Sequence, residues 1–158
     1  PCSRTDPVAM EIRRISPREK TANEYIRQLD RFQASLYPPQ SNHLDDLETL
    51  IRPNVFFAGA FKGNELRGIG AVKRLRGYGE IKRMFVPETF RGQGIGEIII
   101  QALEKHLRKN QIFLIRLETG IKQIPAIRLY EKMGYMARPP FGTYEPDPLS
   151  VFMEKQLN

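Results

Sequence analysis

One cysteine and two histidines are all that this 158-residue chain offers in the sulfur and imidazole ligands of a structural zinc site. Cys2 has no partner, so an intrachain disulfide is excluded and nothing requires an oxidising compartment; a cytoplasmic location is expected. Cys2, His43 and His106 lie far apart in sequence, which argues against a structural zinc site, and no metal is expected. Long apolar runs are missing too. The longest unbroken aliphatic stretch, residues 98–100, is far short of the roughly 20 residues that cross a bilayer. No signal-peptide hydrophobic region precedes Met10. No internal repeat or interdomain linker is visible. Residues 1–9 are polar and turn-like. The expectation is that they form an expression-derived or disordered preamble, that Met10 is the natural start, and that 10–158 is a single domain.

The chain is 41% hydrophobic and 27% charged, with a formal net charge of +7. That apolar fraction supports a real core and argues against disorder. The basic excess suits nucleic acid, an anionic membrane, a small polyanionic ligand, or simply a solvated surface. Arg13, Lys73, Lys82, Arg91, Lys109 and Arg128 are dispersed rather than gathered into an arm or tail. Neither nucleic acid nor a membrane is therefore an expected partner.

Residues 11–15 read as a first strand. Ser16-Pro17-Arg18-Glu19 has the form of a capping box with proline at the first helical position. Ala22, Tyr25, Ile26, Leu29, Phe32 and Leu36 follow at helical spacing, and Tyr37-Pro38-Pro39 stops that helix. Leu44, Leu47, Leu50 and Ile51 mark a second, short one. Residues 55–61, 66–75 and 80–86 predict a three-stranded meander. Ile95, Ile98, Ile99, Ala102, Leu103 and Leu107 form the stripe of a helix ending near Asn110, with His106 on its exposed side. Residues 112–117 suit a strand covered on both faces. A helix over about 126–133 with Gly134 at its C-terminal end, a proline-rich loop at 138–148 and a strand at 151–154 complete the chain.

Three alternating glycines, Gly92, Gly94 and Gly96, stand between the third meander strand and the following helix. Glycine allows unusual dihedrals and close approach of a ligand. A helix start presents unpaired N–H groups and partial positive charge, which suits a phosphate or pyrophosphate. A P-loop would need Lys-Ser/Thr after its last glycine, and Glu97 stands there instead. A dinucleotide fold would space its glycines G-x-G-x-x-G and follow the first strand of a βαβ unit. A plain glycine-rich turn remains an alternative.

Arg91-Gly92-Gln93-Gly94-Ile95-Gly96 matches R/Q-x-x-G-x-G/A, the coenzyme A pyrophosphate signature of the GNAT superfamily of N-acetyltransferases. Residues 83–87, Leu117-Glu118-Thr119-Gly120 and the block from Ala126 to Tyr135 (A-x-x-L-Y-x-x-x-G-F/Y) resemble further parts of the family pattern. The resemblance runs from about Ile81 to Tyr135 and is closest to small single-domain bacterial members. It implies an α/β GNAT fold, a mixed antiparallel–parallel central sheet flanked by helices, with splayed central parallel strands. It implies acetyl transfer from acetyl-CoA to an amine by direct attack, with a small amine or amino acid as first acceptor and a protein amine as second. A non-catalytic acyl-CoA sensor is the alternative. A homodimer is compatible with either.

By the same resemblance, main-chain groups of Met84, Phe85 and Val86 would pair with pantetheine. Arg91, Gly92, Gln93, Gly94, Ile95 and Gly96 would hold the pyrophosphate, and Gln123 replaces a frequent asparagine. Tyr130 is the candidate general acid toward the leaving thiolate, with core packing as its alternative. Glu80 is the first candidate base, acting through water; Glu118 is the second, and a water chain the third. Tyr37, Asn42 and His43, in the loop after the first helix, and Tyr144, in the proline-rich loop, are candidate acceptor contacts beside Glu118. Helix capping, loop packing and an exposed histidine are their alternatives.

Overall fold

Apolar alternation along the middle of the chain builds strands that meet helices on both faces, in a computed structural model that describes residues 9–42 and 45–158. The strands are β1 (Met10–Arg14), β2 (Val55–Lys62), β3 (Glu65–Leu75), β4 (Tyr78–Phe85), β5 (Leu114–Gly120), β6 (Met136–Arg138) and β7 (Ser150–Gln156). The helices are α1 (Lys20–Leu36), α2 (Leu47–Leu50), α3 (Ile95–Lys109) and α4 (Ile124–Lys132). One seven-stranded sheet runs in the order β1-β2-β3-β4-β5-β7-β6. Its pairs are antiparallel except β4–β5, which is parallel.

Two cores flank this sheet. On one face, Ile99, Leu103 and Leu107 of α3 pack with Val72, Ile81, Ile115 and Leu117. On the other, Ala22, Tyr25 and Ile26 of α1 pack with Phe57, Ile69 and Ala71. The approach of α3 is close: a Cβ at Gly79 would come within 2.5 Å of Leu107 side-chain carbons. Each fully buried aliphatic side chain contributes about 1.5–3 kcal/mol of transfer free energy, so these two layers hold the sheet in place.

Several boundaries differ from the sequence expectation. Helix α1 is capped by Glu19, whose carboxylate accepts from the Ala22 N–H at 2.8 Å, whereas Ser16 Oγ accepts from Arg18 N and caps the preceding turn. Strand β5 begins later and runs to Gly120; one face is buried through Ile115 and Leu117, but Arg116 on the other lies 4.6 Å from the Tyr78 ring. Strand β6 has three residues, too few for alternation to announce it. His106 is not simply exposed. Its ring stacks on Phe56 at 4.3 Å, and Nε2 lies 2.7 Å from Arg74 Nη1. Burial, and then the Arg74 charge, push its pKa down to about 4. His43 and Leu44 lie outside the described residues, as do residues 1–8. Among the described residues, no helix is long and apolar enough to cross a membrane, and no group of three or more His, Cys, Asp or Glu could hold a metal ion.

Candidate active site

Strands β4 and β5 pair only at Gly79–Ile115 and Glu80–Arg116. Beyond Glu80 they part. A bulge helps to turn β4 away: the β3–β4 register shifts between Ile69 and Ala71, and Arg83 takes a positive φ of 55°. The gap opens into a cleft of about 750 Å³ lined by Met84, Phe85 and Val86 on one side and by Glu118, Thr119 and Gly120 on the other. The main chain of β4 past Glu80 therefore faces the cleft without β5 as a partner.

At one end of this cleft lies the start of α3. Gly92 and Gly94 have φ values of 80° and 75°, and a Cβ at either would meet nothing within 4 Å. Gly94 is the N-cap and supplies no side-chain hydrogen bond, so the first N–H groups of α3 remain available to an anion. Gly92, Gly94, Ile95 and Gly96 line the cleft, with the Ile95 side chain itself in the core. Arg91 also lines it, and its Nε donates to Val86 O at 3.0 Å. Gln93 does not line it; its Oε1 accepts from Arg67 Nη1. The loop thus offers main-chain donors, open space and a guanidinium, a set that fits a pyrophosphate.

Further in, Tyr130 and Glu118 line the same cleft. Burial, reinforced by the Glu118 charge, pushes the Tyr130 hydroxyl far above its ordinary pKa, so it stays protonated and able to donate. Burial also pushes Glu118 up, to about 7, despite a hydrogen bond from Ser150 Oγ at 3.1 Å and the nearby Lys82 charge. A carboxylate poised near neutrality beside a protonated phenol is an arrangement that can supply a base and an acid in one cleft. Gln123 lines it as well, but its Oε1 accepts from Gly120 N at 2.9 Å and Thr119 Oγ1 at 3.3 Å, so that oxygen holds the β5–α4 turn.

Glu80 sits differently. It is 5% exposed and lines a second cavity of about 800 Å³ rather than the cleft. Tyr144 donates to its Oε2 at 2.6 Å, and Lys82 Nζ lies 3.0 Å away. Lys82 also donates to the Tyr144 hydroxyl at 2.8 Å and pairs with Asp45 at 3.4 Å. Asp45, Lys82 and Tyr144 line both cavities and form the partition between them. Tyr37 and Asn42 line the cleft. The Tyr37 hydroxyl accepts from Lys122 N at 3.2 Å, and a Cβ at Gly120 would overlap it. Tyr37 thereby closes the chain after α1 against the end of β5.

Asp45, Lys82 and Arg83 were missed by sequence reasoning. Lys82 shares a strand face with Glu80 by its two-residue spacing, a signal that was present. Arg83 donates to Asp45 O at 2.6 Å and pairs with Asp30, tying α1 and the loop before α2 to the β4 bulge. Those partners are remote in sequence and left no local pattern.

Comparison with known proteins agrees with this fold. The Acetyltransferase (GNAT) family profile matches residues 19–135. An IAA acetyltransferase from Azospirillum brasilense is 45% identical over 148 residues, covering 92% of this chain and 97% of that protein. YsnE, an uncharacterised N-acetyltransferase of Bacillus subtilis, is 38% identical over 76% of this chain and 82% of its own length. A Klebsiella pneumoniae protein assigned as an acyl-CoA N-acyltransferase superposes with a TM-score of 0.80 at 36% identity, over 96% of this chain and 99% of that one. PaiA N-acetyltransferase from Thermoplasma acidophilum, solved in complex with coenzyme A, shares the fold with a TM-score of 0.75 at 22% identity, over 94% and 99% of the two chains.

Proposed function

The chain belongs to the acetyltransferase (GNAT) family, and from that premise we propose that it acetylates the amine of a small molecule where the cleft meets the second cavity. Its donor is acetyl-CoA, which supplies an activated acyl group as a thioester. The start of α3 supports this: Gly92 to Gly96 would hold the pyrophosphate, with Arg91 beside it. Main-chain groups of Met84, Phe85 and Val86 would align the rest of the donor along the open edge of β4. Glu118 accepts the proton of the attacking amine, and Tyr130 donates to the departing sulfur. Glu80, held by Lys82 and Tyr144, positions the partition and does not serve as the base.

The observation that carries the reading is that the uncapped start of α3, Glu118 and Tyr130 line one cleft. The second cavity, of about 800 Å³, has the size of a small-molecule site, which supports a small acceptor. The test is release of free thiol from acetyl-CoA across a panel of amines, with IAA tried alongside them because the Azospirillum relative carries it in its name. Acceptor-dependent thiol release is expected. Thermal stabilisation by coenzyme A without such release leaves a non-catalytic acyl-CoA sensor, and failure of both at millimolar coenzyme A removes the reading.

A further inference from the structure

The second cavity carries charges of both signs in its lining, and they are unevenly satisfied. Glu80, Lys82 and Tyr144 answer one another. Asp147 Oδ1 accepts from Leu149 N at 2.8 Å, and Glu145 is exposed. Four groups, three in its lining and Asn42 in the adjoining cleft, are left with capacity to spare. Two are acceptors at the cleft side. Among the described residues, Asn42 Oδ1 and Asp45 Oδ2 are buried without a hydrogen-bond partner. Two are donors on the β3 side. Lys73 Nζ comes no nearer than 3.9 Å to Asp45 Oδ2, too far for a hydrogen bond. Arg76, in the turn between β3 and β4, has no hydrogen bond or ion pair among the described residues, and both cations line the cavity.

The order of these groups follows from the strands. Lys73 is paired with Glu80 across β3–β4. That register lies two residues, or about 7 Å, back along β4 from Lys82 and away from the parted strands. Arg76 lies farther back still. Unsatisfied acceptors therefore lie toward the reacting end and unsatisfied cations toward the far end. A buried acceptor without a donor is costly, and a bound ammonium group relieves that cost. A compact anion at Lys73 and Arg76 gains charge-assisted hydrogen bonds.

We propose that the acceptor is a primary amine carrying a carboxylate or a similar compact anion on the same small molecule, its ammonium end met by Asn42 and Asp45 and its anion by Lys73 and Arg76. This rests on the acetyltransferase reading and narrows its substrate class. A plain alkylamine would leave Arg76 unanswered and Lys73 with only its 3.9 Å ion pair to Asp45, and a polyamine would place a second ammonium among them.

The test compares kcat/KM by free-thiol release for straight-chain ω-amino acids of rising length, their amides, and the matching alkylamines and diamines. An aminosulfonate and an aminophosphonate identify which anion is preferred. Neutralising the carboxylate lowers the pKa of the amine, so reactivity alone favours the amide. The expected result is a preference of about tenfold or more for the acid, carried by KM. In the Lys73→Gln/Arg76→Gln double variant the acid-to-amide ratio should fall toward one, while coenzyme A still raises the melting temperature. Should the double variant fail to fold, Arg76→Gln alone, at an exposed turn, reads the same ratio. Amides or alkylamines used as well as the acids overturn the acceptor assignment and leave acetyl transfer standing. No thiol release with any acceptor overturns both.

Discussion

Glu118 and Tyr130 are both shifted by burial, and the same cause has opposite uses. Burial disfavours the charged form of each. It leaves Glu118 titrating near neutrality, as the proposed base needs, and keeps the Tyr130 hydroxyl protonated in the resting site, as the proposed acid needs. For Glu118→Gln, kcat/KM is expected to fall about 10²–10⁴-fold where proton transfer limits the rate. The deficit should shrink at high pH, where solvent deprotonates the amine. The wild-type rise through pH about 7 should vanish with it. Stability moves the other way. The folded pKa of Glu118 lies above its ordinary 4.5, so its contribution is fully present below that value and is lost as pH rises through about 7. Thermal melts should therefore show Glu118→Gln more stable than wild type at pH 8 and little changed at pH 4. A loss of stability at both would make Glu118 a structural residue. Tyr130→Phe removes only a hydroxyl, so acetyl-CoA affinity should hold while kcat drops about 10²–10⁴-fold. An effect below about threefold, with chemistry rate-limiting, would return Tyr130 to core packing.

At the level of elements, legibility followed how local the cause was. The start of α3 was readable because its alternating glycines and the helical stripe after them are contiguous. Helix α1 was readable from spacing, but its cap was not. Ser16 and Glu19 both suit the motif, and the competition went to Glu19, whose carboxylate reaches Ala22 N. The partition between the cavities was not readable, because Asp45, Lys82 and Tyr144 come from three distant segments and meet only through the fold. The α3 loop also yields a sharp test. Gly94 has a left-handed φ of 75° and open space at its Cβ position. Gly94→Val thus meets no clash, only backbone strain of about 1–2 kcal/mol and a branched side chain where the anion would sit. Calorimetry should show coenzyme A binding weakened at least about tenfold in a variant that still melts cooperatively. Unchanged affinity would move the pyrophosphate elsewhere.

Across the whole molecule, the sheet has one weak seam. Strands β1 to β4 with their helices form one side, and β5, β7 and β6 with α4 form the other. Only two residue pairs of β4–β5 register join them in the sheet, although the α3 core reaches across through Ile115, Leu117 and Tyr130. The seam is the proposed site: the parting that weakens the sheet is what opens the cleft. A donor lying in that cleft touches both sides at once, so it should replace the missing pairing and tie the halves together. Ligand that binds only the folded state, at about 100 times its Kd, adds about 2.7 kcal/mol. For a domain of this size that corresponds to a melting temperature higher by about 5–10 °C. Hydrogen exchange then localises the effect. Amides of β4 beyond Glu80 and of residues 92–96 should slow on adding coenzyme A, more than those of β1 and β2, which are already paired in the ligand-free sheet. Protection spread evenly over the molecule would show global stabilisation alone. Protection absent from β4 would place the ligand outside the seam, whatever the shift in melting temperature.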